Sequence, residues 1–215
     1  MGPIAVVGGT GHLGFGLAAR WARAGRRVII GSRQAAKAEE AAQQARALAG
    51  EGDISGAANG EAAAAAEIVV LAIPFAAQAA ILEVLRPAVR GKVVVDTTVP
   101  LRQYAPPQLE LIPAGSAAAQ AQALLPEARV IAAFHTVSQA LVRRIDEPLE
   151  GDVLVCGDDP AAKAAVGDLA TALGILALDA GGLEQAVTLE RLAALVIGLN
   201  QRYRRRAIGV RFTGI

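Results

Sequence analysis

The chain has 215 residues, of which 53% are hydrophobic and 19% charged, and its formal net charge is +1. This length and apolar content predict one sizeable hydrophobic core and exclude a disordered chain. The near-zero net charge provides no overall field that would attract nucleic acid or an anionic membrane.

Short apolar runs alternate with longer helical stretches along most of the chain. The runs predict strands at Pro3–Gly8, Arg27–Gly31, Asp53–Ala57, Ile68–Ile73, Lys92–Asp96, Arg129–Phe134, Asp152–Gly157 and Ile175–Gly181. The stretches between them predict helices at His12–Ala24, Gln34–Leu48, Ala76–Leu85, Ser116–Leu125 and Pro160–Leu173, and the alanine run Ala62–Ala66 also fits a helix. Because helices separate strands that are apolar on both faces, the expected fold class is α/β, a doubly wound parallel (Rossmann) sheet.

The alternation ends near Gly182, and Leu183–Ile208 is expected to be mainly helical. We therefore predict a dinucleotide-binding Rossmann domain over residues 1–181 and a small C-terminal helical part over residues 182–215. The second part would complete the substrate site or an oligomer interface. It contains the basic run Arg202–Arg206, for which a solvated helix end is favoured and attraction of an anionic substrate tail is the alternative.

A glycine-rich loop follows the first strand. Gly9, Gly11 and Gly14 match G-x-G-x-x-G between a strand and an amphipathic helix, which is the context that a dinucleotide-binding loop requires. In this interpretation Gly9 makes the tight turn, Gly11 lets backbone amides approach a pyrophosphate, and Gly14 lets the helix pack against the strand. His12 would contribute through its backbone at the helix N-terminus, which stabilises phosphate charge.

The end of the second strand lacks the acidic residue that accepts hydrogen bonds from the ribose of NAD. Gly31, Ser32 and Arg33 stand there, and the first carboxylate after them is Glu39. Arg33 offers a planar fork of donors for a 2′-phosphate, and the Ser32 hydroxyl can donate beside it. Lys37 follows one helical turn later as a second cation. The sequence therefore predicts NADP(H) rather than NAD(H).

Ligands of an open α/β sheet lie beyond the carboxyl ends of its strands, so we expect the substrate near "AIPF", "DTTVP" and "FHTVSQ". Ile73 and Pro74 can form an apolar wall for the nicotinamide, with a simple turn as an equal alternative. His135 could hydrogen-bond a substrate carbonyl, act as an acid or be structural, and the residues alone slightly favour the structural role. The chain has no further catalytic set and no metal-ligand pattern, so the cofactors would supply most of the chemistry.

The single cysteine, Cys156, excludes an internal disulfide framework and a cysteine zinc site, and we expect it to be a buried structural thiol. No secretory signal is expected. The most apolar stretch, Ile68–Leu82, is interrupted by Pro74 and Gln78 and is too short to span a bilayer. A cytoplasmic protein without metal, nucleic-acid or membrane partners is therefore expected.

Five segments carry a family resemblance: "GGTGHLGFGLAARWARAGRRVIIGSRQAAKAEE", "VVLAIPF", "FHTVSQ", "VLVCGDDPAAK" and "LDAGGLEQAVTLERLAALVIGLN". In this order, over almost the whole chain, they resemble the NADPH-dependent coenzyme F420 reductases (F420:NADP oxidoreductases). The resemblance implies reversible hydride transfer between NADP(H) and C5 of an 8-hydroxy-5-deazaflavin. It also implies a homo-oligomer, which we expect to be a dimer.

The resemblance further implies roles for individual residues. It assigns the pyrophosphate region to Thr10, Gly11, His12 and Leu13, the 2′-phosphate to Ser32, Arg33 and Lys37, the nicotinamide end to Ile73 and Pro74, and the deazaflavin side to His135, Val137 and Gln139. In this reading His135 is a hydrogen-bonding or positioning group. The chain departs from the family pattern at His135–Gln139, where relatives often read H-T-hydrophobic-Pro-Ala, and along Tyr104–Ala123.

Two other functions are compatible with the glycine-rich loop. The first is an NADPH-dependent reductase of a small imine or ketone, a class that usually adds a long helical domain, whereas only residues 182–215 follow the last predicted strand here. The second is a non-catalytic NADP(H) sensor, which would bind NADPH tightly without turnover.

Overall fold

An eight-stranded sheet forms the centre of the computed structural model, which describes residues 2–50 and 52–215. The strands of the chain are β1 (Ile4–Val7), β2 (Val28–Ser32), β3 (Ile54–Ala58), β4 (Ile68–Leu71), β5 (Val93–Asp96), β6 (Leu101–Gln103), β7 (Gln108–Leu109), β8 (Arg129–Ala133), β9 (Asp152–Cys156) and β10 (Leu176–Asp179). The large sheet has the order β10-β9-β8-β5-β4-β1-β2-β3, and β6 and β7 form a separate antiparallel pair.

Helices cover both faces of this sheet. They are α1 (His12–Arg23), α2 (Ala35–Ala49), α3 (Asn59–Ala65), α4 (Gln78–Leu85), α5 (Ala117–Leu124), α6 (Gln139–Val142), α7 (Pro160–Thr171) and α8 (Ala186–Arg202). On one face, Trp21 of α1 and Leu169 of α7 share a core with Val6. On the other, Leu82 of α4 and Leu189 of α8 share a core with residues of β1 that point the opposite way. The predicted α/β Rossmann class is confirmed, and each predicted strand is present.

The direction of two strands differs from the prediction. The apolar run Asp152–Gly157 continues the series in the sequence, and a parallel sheet throughout was expected. In the structure β9 pairs antiparallel to β8, with Ala132 opposite Cys156, while β10 runs parallel to β9. A parallel return needs a long crossover, usually a full helix, and only the four-residue α6 lies between β8 and β9. The sheet is therefore mixed at this edge. The prediction missed this because an apolar run shows that a strand forms but not which way the strand runs.

The C-terminal part is helical over a shorter range than Leu183–Ile208. A 3₁₀ turn at Leu183–Gln185 precedes α8, which ends at Arg202. Residues 203–215 then form a segment without helix or strand, which we call the tail. The tail follows β9 because its backbone is bonded there: the Asp152 N–H donates to the Val210 carbonyl (2.7 Å), and the Phe212 N–H donates to Asp152 Oδ2 (2.6 Å).

The "VCGDD" segment connects the end of β9 with the C-terminal part. Asp159 caps α7 by accepting a hydrogen bond from the Ala162 N–H (2.7 Å). Asp158 Oδ1 accepts one from the Leu183 N–H (2.8 Å), at the turn that begins the C-terminal part. Cys156 is fully buried, and burial raises the pKa of its thiol to about 12. The expectation of a buried structural thiol is confirmed.

Helices that could cross a bilayer do not occur among the described residues, since none of them is long and apolar enough.

A buried arginine holds the segment between β8 and β9 against α1. Arg20 is 8% exposed, and its guanidinium donates to four backbone carbonyls, those of Leu141, Val142, Arg144 and Glu147, at 2.6–3.0 Å. The Leu141 and Arg144 carbonyls also accept turn hydrogen bonds from the N–H groups of Arg144 (2.9 Å) and Glu147 (2.9 Å), so the guanidinium adds to turns that the backbone already closes. Arg20 therefore fixes residues 141–147, directly after the "FHTVSQ" segment.

We predict that Arg20→Met lowers the free energy of unfolding by about 3 kcal/mol, because a buried guanidinium loses its hydrogen bonds to four carbonyls of the connection. Arg23→Met is the matched control on the same helix: its ion pair with Asp146 is exposed, and its loss should cost less than about 1 kcal/mol. Urea unfolding midpoints measure both effects. Similar losses in the two variants would contradict the role given to Arg20.

Candidate functional site

A cavity of about 630 Å³ opens at the carboxyl ends of β1, β4, β5 and β8. The predicted site residues that line it are Gly11, His12, Leu13, Ile73, Pro74, His135, Val137 and Gln139. The segment Thr97–Val99, from the "DTTVP" stretch, also lines it. The structure thus brings the glycine loop, the turn after β4 and the segment after β8 to one cavity, as the rule for ligands of open α/β sheets anticipates.

The C-terminal part, which was expected to complete the substrate site or an oligomer interface, supplies a wall of the cavity whose α8 residues no sequence pattern singled out. Its lining residues are Ala193, Val196, Ile197, Asn200, Gln201, Arg205, Arg206 and Ile208. Those on α8 recur at helical spacing of three and four residues, so they share one face of the helix. This spacing is the signal from which they could have been found. Two of the tail residues belong to the basic run for which a solvated helix end was favoured.

The other predicted site residues lie outside the cavity. Gly9 and Thr10 belong to the turn between β1 and α1, and Gly14 lies in the first turn of α1. Ser32, Arg33 and Lys37 lie at the end of β2 and the start of α2. The two places are adjacent, because the N–H groups of Gly8 and Gly9 both donate to the Gly31 carbonyl at 3.1 Å. A path for an elongated ligand therefore runs from the end of β2, past the glycine loop, into the cavity.

The glycine loop has a shape that side chains would destroy. Gly8, which lies outside the G-x-G-x-x-G pattern, has φ +75°, and a Cβ there would lie 2.6 Å from the Ala72 carbonyl oxygen. A Cβ on Gly14 would lie 2.9 Å from the Gly8 carbonyl oxygen. Helix α1 begins after Gly11 without a capping side chain and without an acidic residue in its first turn. The first N–H groups of α1 therefore have no capping side chain and can donate to a ligand. The glycine loop and this helix start together fit a diphosphate.

The end of β2 carries a hydrogen-bond donor and two cations that can bind a negatively charged group. Ser32 is 8% exposed, and its Oγ accepts a hydrogen bond from the Gln34 N–H (3.3 Å), so its hydroxyl hydrogen is still available. Arg33 and Lys37 are exposed, and neither forms an ion pair with any residue in 2–50 or 52–215. The nearest carboxylate in the sequence, Glu39, instead accepts a hydrogen bond from the Gly56 N–H (3.1 Å). This arrangement fits a 2′-phosphate.

Two polar side chains beside this path were missed. Arg143 lies over the Phe15 ring, 5.5 Å from its centroid, and its Nη1 contacts His12 Nδ1 at 2.7 Å, so a second cation stands at the glycine loop. Asn59 Oδ1 is buried without a hydrogen-bond partner, next to Gly31. Both come from elements distant in sequence, and no local pattern separates them from ordinary surface residues.

His135 lies in the cavity wall as a neutral, unpartnered imidazole. Both ring nitrogens are buried and have no hydrogen-bond partner, although the Thr98 backbone faces the ring. Burial lowers the pKa of His135 to about 4, and the Thr98 backbone opposes this shift. At neutral pH the ring therefore offers one N–H donor and one acceptor, rather than a surplus proton.

The residue before His135 has a strained backbone that packing holds in place. Phe134 has φ 64°, which is uncommon for a bulky residue and costs on the order of 1–3 kcal/mol. Its ring is buried edge-to-face against Trp21, with 5.7 Å between the centroids. Trp21 is itself anchored, since its Nε1 donates to the Leu169 carbonyl (2.9 Å). The pair fixes the turn from which His135 enters the cavity.

A buried polar cluster of Asp96, Thr98 and Gln78 holds the Thr97–Val99 wall in place. Asp96 is fully buried, and its Oδ1 accepts hydrogen bonds from the N–H (2.7 Å) and hydroxyl (2.6 Å) of Thr98. Its Oδ2 accepts one from Gln78 Nε2 (2.6 Å). Burial raises the pKa of Asp96 to about 6, and these hydrogen bonds oppose that shift. The carboxyl is thus occupied in positioning the wall and does not line the cavity.

Glu190 extends this cluster to α8. It is 1% exposed, and its Oε1 accepts hydrogen bonds from the N–H groups of Ala117 (2.8 Å) and Ala118 (3.3 Å), at the first turn of α5. Burial raises the pKa of Glu190 to about 8, and the charge of Asp96 adds to the shift. The carboxyl therefore fastens α8, which forms one wall of the cavity, to the helix behind the sheet.

We predict that Glu190→Gln removes a pH dependence of stability. The pKa of Glu190 is higher in the folded chain (about 8) than its ordinary value of 4.5, so the folded state holds the proton longer and the wild type loses stability as pH rises through this range. Glutamine keeps the oxygen acceptor and does not ionise. Between pH 5 and pH 8 the variant should gain about 3 kcal/mol relative to the wild type in urea unfolding.

The control is Glu184→Gln, an exposed carboxylate in the turn before α8, which should leave the pH profile unchanged. Parallel profiles for wild type and Glu190→Gln would refute the raised pKa.

Clusters of three or more His, Cys, Asp or Glu side chains that could hold a metal ion do not occur in the part of the chain that the structure describes.

The doubly wound sheet, its glycine loop and the cavity at the strand ends are together typical of nicotinamide-dinucleotide oxidoreductases. Residues 3–100 match the sequence model of the family described as NADP oxidoreductase, coenzyme F420-dependent. The F420-dependent NADP reductase of Methanothermobacter thermautotrophicus is 43% identical over 221 residues, covering 99% of this chain and 95% of its own length. The chain belongs to the family of F420-dependent NADP reductases.

Two further comparisons agree with this assignment. The F420-dependent NADP reductase of Methanocaldococcus jannaschii is 40% identical over 220 residues, covering 99% of this chain and 98% of its own length. The crystal structure of a proposed F420-dependent NADP reductase from Arthrobacter sp. FB24 superimposes with a TM-score of 0.84 at 30% identity and covers 100% of both chains. The similarity therefore includes the C-terminal part as well as the Rossmann sheet.

Proposed function

We propose that the protein catalyses reversible hydride transfer between NADP(H) and coenzyme F420, an 8-hydroxy-5-deazaflavin. The observation that carries the proposal is the cavity that joins the end of the glycine loop, at Gly11–Leu13, to the wall around His135. One ligand can enter it from the loop, and its volume of about 630 Å³ leaves room for a second ring system. Family membership supports the identity of both ligands.

The dinucleotide would lie along the path from β2 to the cavity. Ser32, Arg33 and Lys37 would hold the 2′-phosphate, because they supply a hydroxyl donor and two cations that are otherwise unpaired in the described chain. The loop residues Gly9, Thr10, Gly11, His12, Leu13 and Gly14 would hold the diphosphate through backbone N–H groups at the start of α1. Ile73 and Pro74 would form the apolar wall at the nicotinamide end.

The deazaflavin would lie on the side of His135, Val137 and Gln139. When bound, NADPH supplies a hydride and the deazaflavin accepts it at C5. The neutral His135 ring would donate a hydrogen bond toward negative charge on the reduced ring, as a positioning group. Apolar residues of α8, among them Val196 and Ile197, line the cavity and would exclude water. Residues 182–215 would in this way complete the site begun by residues 1–181.

We also propose that the enzyme works in the cytoplasm as a homodimer, without nucleic-acid or membrane partners. The single buried cysteine fits a reducing compartment, and the formal net charge of +1 gives no general attraction to polyanions. Several large apolar side chains, including Leu111 and Leu195, are exposed in the single chain and are available for contact between subunits.

The direct test is the visible absorbance of oxidised coenzyme F420 after mixing with enzyme and NADPH. We expect rapid bleaching with NADPH and little with NADH at the same concentration. Bleaching with neither nucleotide, while NADPH still binds, would refute the proposed reaction. Turnover of a small imine or ketone would then identify the first alternative. Tight NADPH binding with no turnover of any acceptor, together with a change in assembly, would identify a sensor.

Nucleotide selectivity tests the assignment at the end of β2. We predict that Arg33→Gln combined with Lys37→Gln raises the KM for NADPH by about 10–100-fold. The reason is that a hydrogen bond to a charged group contributes about 1.5–3 kcal/mol to binding. The KM for NADH should not rise. Arg27→Gln is the control, because this exposed arginine lies at the other end of β2. An equal effect on both nucleotides would overturn the assignment.

A further inference from the structure

Two arginines of the tail lie at the cavity and not on the preceding helix. Arg205 and Arg206 line the cavity, whereas Arg202, the last residue of α8, does not. Arg204, in the turn after the helix, also lies outside the cavity and is exposed. The solvated position favoured from the sequence therefore describes Arg202 and Arg204, whereas Arg205 and Arg206 stand beside the space in which the second ligand would bind.

The backbone around the two arginines is fixed by hydrogen bonds on both sides. The Arg205 N–H donates to the Asn200 carbonyl (2.9 Å), and the Ile208 N–H donates to Asn200 Oδ1 (3.1 Å). The Ser138 hydroxyl donates to the Arg206 carbonyl (2.9 Å). This last bond joins the arginines to the segment that lines the cavity next to His135, so their position relative to that wall is set by the fold.

The charges of these arginines have no counterpart in the described chain. Arg23, Arg27, Arg90 and Arg144 each lie within 4.0 Å of a carboxylate. Over residues 2–50 and 52–215, neither Arg205 nor Arg206 forms an ion pair, and both are exposed. Exposed guanidinium groups can bind an anion without a large desolvation cost.

The anionic groups of NADP(H) have their own positions in the proposed arrangement, at the glycine loop and the end of β2. The remaining anion is the side chain of the deazaflavin coenzyme, which carries a phosphodiester and glutamate carboxylates. We infer that Arg205 and Arg206 form a cationic subsite for this side chain at the cavity rim. The inference rests on the proposed function. It adds the direction in which the side chain of the bound coenzyme extends out of the cavity.

The test compares two deazaflavins: F420 with its glutamate tail, and the riboflavin-like parent that lacks the phosphate and glutamates. In the double variant Arg205→Gln and Arg206→Gln, we expect the KM and the directly titrated Kd for tailed F420 to rise about tenfold at low salt. Values for the tail-less compound and the Kd for NADPH should stay unchanged. Added salt should weaken binding of tailed F420 to the wild type and have less effect on the variant.

The matched control is Arg202→Gln, which removes a charge of the same basic run outside the cavity and should leave both deazaflavins unaffected. The charge-conserving double variant Arg205→Lys and Arg206→Lys should retain most of the affinity for tailed F420. Equal changes for the two deazaflavins, or no change for either, would overturn the subsite while the wild type still reduces both. If the wild type reduces neither deazaflavin, the proposed function itself fails.

Discussion

The reversal of chain direction between β8 and β9 determines how the cavity is enclosed. Because β9 is antiparallel to β8, its first residue lies at the edge of the sheet where β1, β4, β5 and β8 end. The connection over residues 134–151 therefore stays at that edge and never crosses to the far side. Asp152, at the start of β9, then binds the tail through its N–H and its carboxylate. One topological change thus places the His135 wall and the tail on the same cavity.

The reversal leaves irregular backbone at the site, and buried polar groups compensate for it. Arg20 donates to four carbonyls of this connection and ties it to α1, in addition to the hydrogen bonds of its turns. The packing of Phe134 on Trp21 holds a backbone conformation that would be unstable alone. On the other side, Asp96 and Glu190 hold the remaining walls through hydrogen bonds that burial strengthens. The cavity is therefore lined by one face of α8 and by loops that hydrogen bonds and packing anchor to core helices and strands.

Local patterns predicted most of the fold and the dinucleotide half of the candidate site. These features are local: the glycine spacing, the Gly31-Ser32-Arg33 sequence and the strand-end segments each span only a few residues. Such patterns can be recognised in a single sequence. The direction of β9, the end of α8 at Arg202 and the approach of Arg143 to His12 depend on contacts between residues far apart in the chain. No periodicity records these contacts. The α8 wall is an intermediate case, since its helical spacing was visible but not what it faces.

The burial of Cys156 has a practical consequence for studying the tail. The chain contains one cysteine, which is fully enclosed between β8 and the helices of one face, and burial holds the pKa of its thiol near 12. Thiol-reactive dyes and spin labels act on exposed thiolates, so the native protein should resist them. A cysteine introduced at an exposed position such as Tyr203 would be the single reactive site without any background substitution. Fluorescence or distance measurements could then follow the tail directly while each ligand is added.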